Sequence, residues 1–464
     1  MTAESAHAVL PRRTLFWALL DLSWPIVLAR ATQSVIGFSD ALFVAPLGEA
    51  PLAAVTTGSL NAFSAIILPM GTVFIVQSFV AQLRGRGELG TAARYAWYGL
   101  ILAVMAAAAS ALAIPFVPGL LERFHYADAV HHGMSDYLQI RLLSVGAAIG
   151  TEALGNWYGG LGNTRPAMVA AVSAMLANVV GCFVLVQPRF GLPGYGVKGS
   201  AWASVAASVL GFLVIAVPFF LRERKDVALQ LRALGTAEFM RFLRFGLPNG
   251  LNWFLEFGAF ALFINVVVGH LGTTTLAAFN VVMQLNSVSF MPAFGLASGG
   301  AILVGEAIGR GAHREVWPIV RLGTLVAGAW MSTIGIVYAT MPAPLMDWFH
   351  PRGVAADALV HTGATMLGFA AFWQLFDAVN MTMGEALRAA GDTVWCMAAR
   401  IVLAWVVFTP AAWTAVFFFG GGVDAVMISL LVYVGSLGVV LSLRFASGKW
   451  KSIDLVGASS ESPR

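Results

Sequence analysis

Residues 246–272 read GLPNGLNWFLEFGAFALFINVVVGHLG, an apolar run that carries one carboxylate, Glu256, near its middle. A helix needs about 20 mostly apolar residues to span a bilayer, so this stretch is long enough to cross. Placing a charged side chain in hydrocarbon costs several kcal/mol unless another group compensates it. No Lys or Arg lies between Arg244 and Arg310. We therefore expect a cation from outside the chain to compensate Glu256.

The composition of the whole chain is that of a membrane protein. The chain has 464 residues, of which 59% are hydrophobic and 11% are charged, and its mean hydropathy is +0.80. Soluble domains carry about 25% charged residues, so the composition excludes a soluble protein. We predict an all-α membrane protein with twelve transmembrane helices, surrounded by the lipid bilayer.

Hydropathy and loop signals locate the twelve predicted spans. Their limits in the sequence are 15–44, 52–82, 92–117, 137–162, 165–187, 199–221, 241–270, 275–307, 316–345, 361–389, 393–420 and 424–446.

The basic residues are concentrated in alternate loops. Of the 27 Lys and Arg, 21 fall in one set of loops, a set that includes the chain termini and a loop at 388–400 with Arg388 and Arg400. Cytoplasmic loops are enriched in Lys and Arg. We therefore predict a multi-pass protein of the plasma (bacterial inner) membrane with both termini in the cytoplasm. The net charge of +4 then reports topology, and we expect no nucleic-acid partner.

An internal repeat divides the chain into two halves, since short motifs recur in the same order at a shift of about 223 to 229 residues. Six-span halves both enter the membrane from the same side, so the repeat predicts two pseudo-symmetric six-helix lobes related by an axis along the membrane normal. We place the lobes at 1–221 and 241–464, joined by a cytoplasmic linker at 222–240. The matching motifs are Pro25 with Pro248, Leu47-Gly48 with Leu271-Gly272, Pro69 with Pro292, Gly85-Arg86-Gly87 with Gly309-Arg310-Gly311, and Gly162-Asn163-Thr164 with Gly391-Asp392-Thr393.

Four ionisable residues lie at membrane depth in the first half. Counting along the predicted helices at about 1.5 Å per residue places Arg30 near the depth of Glu152, and Asp40 near that of Arg141. Two structural ion pairs account for these charges. A proton-handling role for Asp40 or Glu152 is the alternative.

Two acids of the second half lie at a common depth, Glu256 in the seventh span and Asp377 in the tenth, and neither has a basic residue at that depth in the predicted spans. Two such carboxylates can share a cation: both bind Na⁺ through oxygen atoms, or one carries an exchangeable proton. In the alternative interpretation each acid hydrogen-bonds a neighbouring amide or hydroxyl, such as Asn252, Asn380 or Thr382.

Aromatic and methionine side chains surround the two acids in the sequence. Ring faces attract organic cations and methionine adapts to varied shapes, so these residues are candidates for the lining of a substrate cavity, with packing or lipid contact as the alternative. The candidates are Trp253, Phe254, Phe257, Phe290, Trp373 and Met381.

Several motifs resemble the multidrug and toxic-compound extrusion (MATE) family over nearly the whole chain. They are GFSDALFVAPLGEAPLAAV at 37–55, GLPGYGVKGSAWASVAAS at 191–208, LPNGLNWFLEFGAF at 247–260, LGTTTLAAFNV at 271–281 and FDAVNMTMGEALRAAGDT at 376–393. The resemblance, which is to the NorM-like bacterial branch, implies the twelve-helix MATE/MOP-type fold. It also implies that Glu256 and Asp377 serve cation coupling and substrate binding.

The resemblance further implies a conformational or proton-related role for Asp40 with Asn178. Two positions depart from the family pattern: Cys182 stands where other branches have a second Asp, and Phe279-Asn280 stands where NorM-like proteins have His-Gln. The first departure weakens a proton-only mechanism centred on the first half.

These observations together predict an antiporter, coupled to Na⁺ or H⁺, that exports cationic or amphiphilic compounds by alternating access. The alternative within the same superfamily is a flippase for a lipid-linked or other amphiphilic substrate. The chain lacks H-E-x-x-H, G-x-S-x-G and P-loop motifs, so we expect no enzymatic activity and no cofactor besides the coupling ion. We expect a monomer.

Overall fold

The computed structural model describes residues 12–124, 127–189, 191–223, 231–347 and 356–457. Twelve long helical segments account for most of these residues, and the predicted all-α class is confirmed. Each segment overlaps one of the spans predicted from hydropathy. The predicted cytoplasmic linker at 222–240 falls partly outside the described residues, at 224–230.

The helices are numbered in chain order. They are α1 Arg12–Val44, α2 Glu49–Arg86, α3 Leu89–Leu121, α4 128–160, α5 Arg165–Leu185, α6 Gly196–Glu223, α7 Thr236–Val268, α8 Thr273–Gly309, α9 His313–Thr340, α10 Ala356–Ala389, α11 Thr393–Phe417 and α12 Val423–Ala446.

Ten of the twelve helices are long and apolar enough to cross a membrane. The other two, α4 and α10, hold the same position in the two halves of the chain and carry interior polar residues, among them Glu152 and Asp377. Polar residues inside a spanning helix lower its mean hydropathy and mark functional positions. The two least apolar helices are therefore the first places to look for a site.

The repeat seen in the sequence recurs in the backbone. Six of the eight repeated glycines adopt a positive φ, in the left-handed range that residues with a Cβ avoid. At Gly87 the amide bonds the carbonyl of Arg84 and the next amide bonds that of Leu83, which is the Schellman pattern that ends a helix. The same pair of bonds occurs at Gly311. The glycines and their φ values are Gly48 (111°), Gly87 (81°), Gly162 (77°), Gly272 (103°), Gly311 (74°) and Gly391 (89°).

Contacts within the chain define two compact units. One comprises Leu28–Gly250, and the other comprises Leu251–Arg464 with the N-terminal residues up to Val27. The changes from one unit to the other fall inside α1 and α7, two or three residues beyond Pro25 and Pro248. The lobe limits drawn from the sequence, 1–221 and 241–464, stay a prediction.

Two π-helical segments interrupt α7 and α11, at Phe263–Val268 and Val402–Phe408. Their side chains pack together, since the rings of Phe263 and Phe408 lie 4.8 Å apart within the apolar core of their unit. Short π-helical turns are often found at functional sites. Here they follow Glu256 in α7 and Arg400 in α11.

Candidate functional site

Glu256 is held by side chains from two other helices. Arg400 of α11 donates from Nη1 to both carboxylate oxygens, at 2.9 and 3.2 Å. Tyr433 of α12 donates its hydroxyl to Oε1 at 3.0 Å. The side chain of Glu256 keeps 32% of its surface exposed and that of Arg400 keeps 20%. The carboxylate is thus neutralised from within the chain while staying accessible.

The expectation that no basic residue reaches Glu256 is wrong. Arg400 was assigned to a cytoplasmic loop, yet it lies seven residues into α11. A long side chain at that position can extend outward to the membrane surface or inward to the protein. It turns inward because an uncompensated carboxylate in an apolar region is costly and a guanidinium within reach offsets that cost.

Aromatic contacts fix α11 beside the ion pair. Trp405 donates its indole N–H to the carbonyl oxygen of Leu255 at 3.0 Å, one residue before Glu256. The ring of Phe408 stacks on that of Tyr433 with centroids 4.8 Å apart. These contacts join α11 to α7 and to α12, and so position both donors of the Glu256 carboxylate.

Asp377 of α10 has a different environment. Within the described part of the chain its carboxylate makes no hydrogen bond and no ion pair, and the charged groups whose fields reach it are Glu256 and Arg400. The two acids therefore act on one another electrostatically, but of the two only Glu256 has a direct partner among the described residues. We call Asp377 the uncommitted carboxylate of the site, because no side chain or backbone group of the described residues bonds it.

The neighbouring amides and hydroxyls bond other groups. Asn380 donates to the carbonyl of Val434 at 3.0 Å, and Thr382 bonds Thr324 at 2.8 Å. The oxygens Oδ1 of Asn252 and of Asn380 are buried and accept no hydrogen bond in the described structure. Carboxylate and amide oxygens are ligands that hard cations such as Na⁺ prefer.

Asp40 of α1 lies in a buried polar cluster in the other unit. Its carboxylate accepts hydrogen bonds from Asn178 at 3.1 Å, Cys182 at 3.1 Å and Ser204 at 3.2 Å. The structure thus brings Asp40 and Asn178 together and adds two donors, Cys182 of α5 and Ser204 of α6. At the position of the missing second Asp, Cys182 supplies a thiol donor to Asp40.

One of the two predicted ion pairs of the first half is formed. Arg30 donates to Glu152 with Nη2 and Oε1 2.7 Å apart. The other prediction is wrong, because Arg141 donates to Ser144 and to Ser208, the latter at 3.4 Å, and not to Asp40. Both pairs were predicted from the depth of each residue along its helix. That depth does not tell in which direction a side chain leaves its helix.

The aromatic candidates fall into two groups, and their role as cavity lining stays a prediction. Trp373 and Met381 are 3% and 7% exposed and belong to apolar clusters. Phe254 is 41% exposed, and Trp253, Phe257 and Phe290 are half-buried. Trp253 and Phe290 each contact the ring of Phe294, at 6.4 and 6.3 Å.

Sequence reasoning missed Arg400, Tyr433 and Ser204. Tyr433 carries a signal that was available, since a tyrosine near the middle of an apolar helix must place its hydroxyl on a partner. Ser204 lies within the quoted motif at 191–208, although nothing there marks it as the partner of an acid in α1.

A model of the MatE family matches two segments of the chain, residues 25–184 and 248–414. The chain belongs to the MatE family. The two matched segments begin at Pro25 and Pro248, the first pair of the internal repeat, so the match and the repeat divide this MatE protein in the same way. The resemblance drawn from the motifs is confirmed.

Relatives of this MatE protein come from several bacteria. It is 26% identical to the probable multidrug resistance protein NorM of Pseudomonas putida over 446 residues, which cover 95% of each chain. It is 24% identical to the probable NorM of Thermotoga maritima over 93% of this chain and 92% of that one. It is 26% identical to the multidrug resistance protein NorM of Burkholderia vietnamiensis over 91% and 92% of the two chains.

Solved structures show the same fold. A MOP superfamily transporter from Pyrococcus furiosus superimposes with a TM-score of 0.86 at 19% identity, covering 95% of this chain and 97% of the other. A multidrug resistance MATE family transporter in an outward-facing conformation gives 0.85 at 19% identity, with 94% and 97% covered. The predicted twelve-helix MATE/MOP-type fold of this MatE protein is confirmed.

Proposed function

We propose that this MatE-family protein is an antiporter of a bacterial inner membrane that exports cationic or amphiphilic compounds in exchange for Na⁺ or H⁺. Glu256 and Asp377 form the site at which the coupling ion and the exported compound bind. Both termini lie in the cytoplasm in this proposal, as the distribution of basic residues indicates.

The observation that carries the proposal is the uncommitted carboxylate of Asp377 beside the ion pair of Glu256. A buried or half-buried acid without a donor is unfavourable, and a folded protein keeps one where a ligand supplies the missing charge. Since the side chain of Glu256 is 32% exposed, a cation can reach the site. The names of the NorM relatives, which are multidrug resistance proteins, support a drug-like cargo.

Exchange follows from competition for charge. If the coupling ion and the exported cation both need Asp377, they cannot bind together, and binding of one favours release of the other. This is the linkage that a secondary transporter needs when its site opens alternately to the two sides of the membrane.

A flippase for a phosphate-bearing lipid would need basic groups to hold the phosphate. Arg30 and Arg141 are the arginines at depth in the first half. Glu152 already neutralises Arg30, and Arg141 donates to serines within its own unit. These contacts favour the cation exporter over the flippase.

The test is transport by the purified protein in liposomes, with Na⁺ and pH gradients imposed independently and tetraphenylphosphonium as the cargo. Asp377→Asn keeps the shape of the side chain and removes its charge, so gradient-driven export should fall to the level of protein-free liposomes. Asp424→Asn is the matched control, since it removes an exposed acid nine residues before Tyr433 on α12. We expect it to export at the wild-type rate.

The double variant Glu256→Gln, Asp377→Asn tests whether these two acids form the coupling site. Uphill export by this variant at the wild-type rate would show that the coupling site lies elsewhere, and Asp40 with Asn178 would be the next residues to test. Export in the wild type driven by one gradient and not the other would identify the coupling ion.

A further inference from the structure

Arg400 lies against both acid-bearing helices of the site. Its Nη1 bonds Glu256 on α7. Its Nη2 lies against Gly384 of α10, so close that a Cβ at that glycine would come within 2.8 Å of it. Gly384 follows Asp377 by seven residues, about two helical turns, and therefore shares its face of α10. The guanidinium thus occupies the side of α10 that carries the second acid.

The charged side chains around Arg400 do not sum to zero. Among the described residues, the charged groups that act on one another here are Glu256, Asp377 and Arg400. Two carboxylates and one guanidinium leave a single negative charge. A guanidinium does not lose its proton in proteins, so in contrast to a bound ion it can neither leave the site nor become neutral.

We propose that Arg400 is a tethered counter-cation that sets the charge selectivity of the site: it cancels one of the two acids permanently, so that the site accepts one monovalent cation at a time. The inference rests on the proposed function and deepens it by assigning the charge class of the cargo. A monovalent organic cation, Na⁺ or a proton matches the remaining charge. A divalent cation leaves an excess positive charge in an apolar region, which is costly.

With Arg400 as the tethered counter-cation, Gly384 and Tyr433 each have a positioning role. Gly384 has no Cβ and so leaves space for the guanidinium on the face of α10 that carries Asp377. Tyr433 supplies Glu256 with a neutral donor at 3.0 Å, which helps to keep the carboxylate oriented toward Arg400. Arg400 is therefore a specificity residue, and Gly384 and Tyr433 position it and its partner.

The experiment measures equilibrium binding to the purified full-length protein in detergent, with tetraphenylphosphonium as the monovalent probe and methyl viologen as the divalent one. Arg400→Gln removes the tethered charge. At an effective dielectric constant of about 20, losing a positive charge about 10 Å away tightens binding of a monovalent cation on the order of tenfold, and of a divalent cation on the order of a hundredfold. The ratio of the two affinities should thus shift about tenfold toward the divalent probe.

Two further variants separate charge selectivity from a structural role. Arg400→Lys keeps the charge and should keep the wild-type ratio, even where the loss of the planar fork lowers both affinities. Arg30→Gln is the matched control, because it removes an arginine of similar exposure, 21%, from the ion pair of the other unit, and it should leave the ratio unchanged.

The outcomes distinguish the two proposals. If Glu256→Gln with Asp377→Asn binds tetraphenylphosphonium as the wild type does, the proposed site itself is wrong. If that variant loses binding while Arg400→Gln leaves the ratio of the two affinities unchanged, the tethered counter-cation is wrong and the proposed site stands. Where Arg400→Gln does not fold, a ratio that Arg400→Lys changes leads to the same conclusion. A ratio that shifts for Arg400→Gln and is restored by Arg400→Lys supports the inference.

Discussion

Neutralising Glu256 should destabilise the protein, whereas neutralising Asp377 should not. Glu256→Gln leaves the guanidinium of Arg400 without its counter-charge in a site where the two side chains are only 32% and 20% exposed. Breaking a fully buried pair costs about 3–5 kcal/mol and an exposed pair contributes about 0–1 kcal/mol. For this half-buried pair we expect the free energy of unfolding to fall by about 2 kcal/mol.

The assay is equilibrium unfolding in mixed micelles, applied to a double-mutant cycle. Glu256→Gln and Arg400→Gln should each cost about 2 kcal/mol, and the double variant should recover most of the loss, because neither member of the pair is then left charged without the other. Asp377→Asn should leave stability unchanged or raise it, since in the described structure that carboxylate has no donor to lose.

The Arg30–Glu152 pair provides the control for this cycle. Its atoms are 2.7 Å apart and its side chains are 21% and 20% exposed, so its coupling should be of similar size. If that pair shows coupling while the Arg400–Glu256 cycle gives less than about 0.5 kcal/mol, the contact between Arg400 and Glu256 is not formed in the folded protein, and the reasoning about both acids fails.

Two other predictions concern topology and the first half. Single cysteines placed at 222–240 should react with a membrane-impermeant reagent only from the cytoplasmic side, and cysteines at 345–358 only from outside; labelling of both from one side would refute the twelve-span topology. Asn178→Leu removes one of three donors to the buried carboxylate of Asp40 and should lower the free energy of unfolding by about 1–3 kcal/mol. Cys182→Ala, which removes a weaker donor, should cost less, and a larger loss for Cys182→Ala than for Asn178→Leu would contradict this reasoning.

The number of helices and the repeat were determined by the sequence alone. Both depend on local signals: a run of apolar residues long enough to span a bilayer, and glycines and prolines that end or bend a helix wherever they occur. Gly87 and Gly311 form the same helix-ending turn because the residues that make the turn are adjacent in the chain. No distant contact is needed to form it.

The pairing of charges was only partly accessible from the sequence. Counting residues gives the depth of a side chain in the membrane, and depth was sufficient for Arg30 and Glu152. It failed for Asp40 and Arg141, because residues at one depth still leave their helices in different directions. Those directions depend on how each helix is rotated about its axis, which is set by packing against its neighbours.

Tertiary structure alone decided that Arg400 belongs to the site of Glu256. The two residues are 144 positions apart, and the sequence places Arg400 near the start of α11, where a long basic side chain can serve equally well as an anchor at the membrane surface. What turns it inward is the position of α11, held beside α7 and α12 by Trp405 and Phe408. An ion pair between helices exists only once those helices are packed, and for that reason the residue that compensates Glu256 could not be found in the stretch around it.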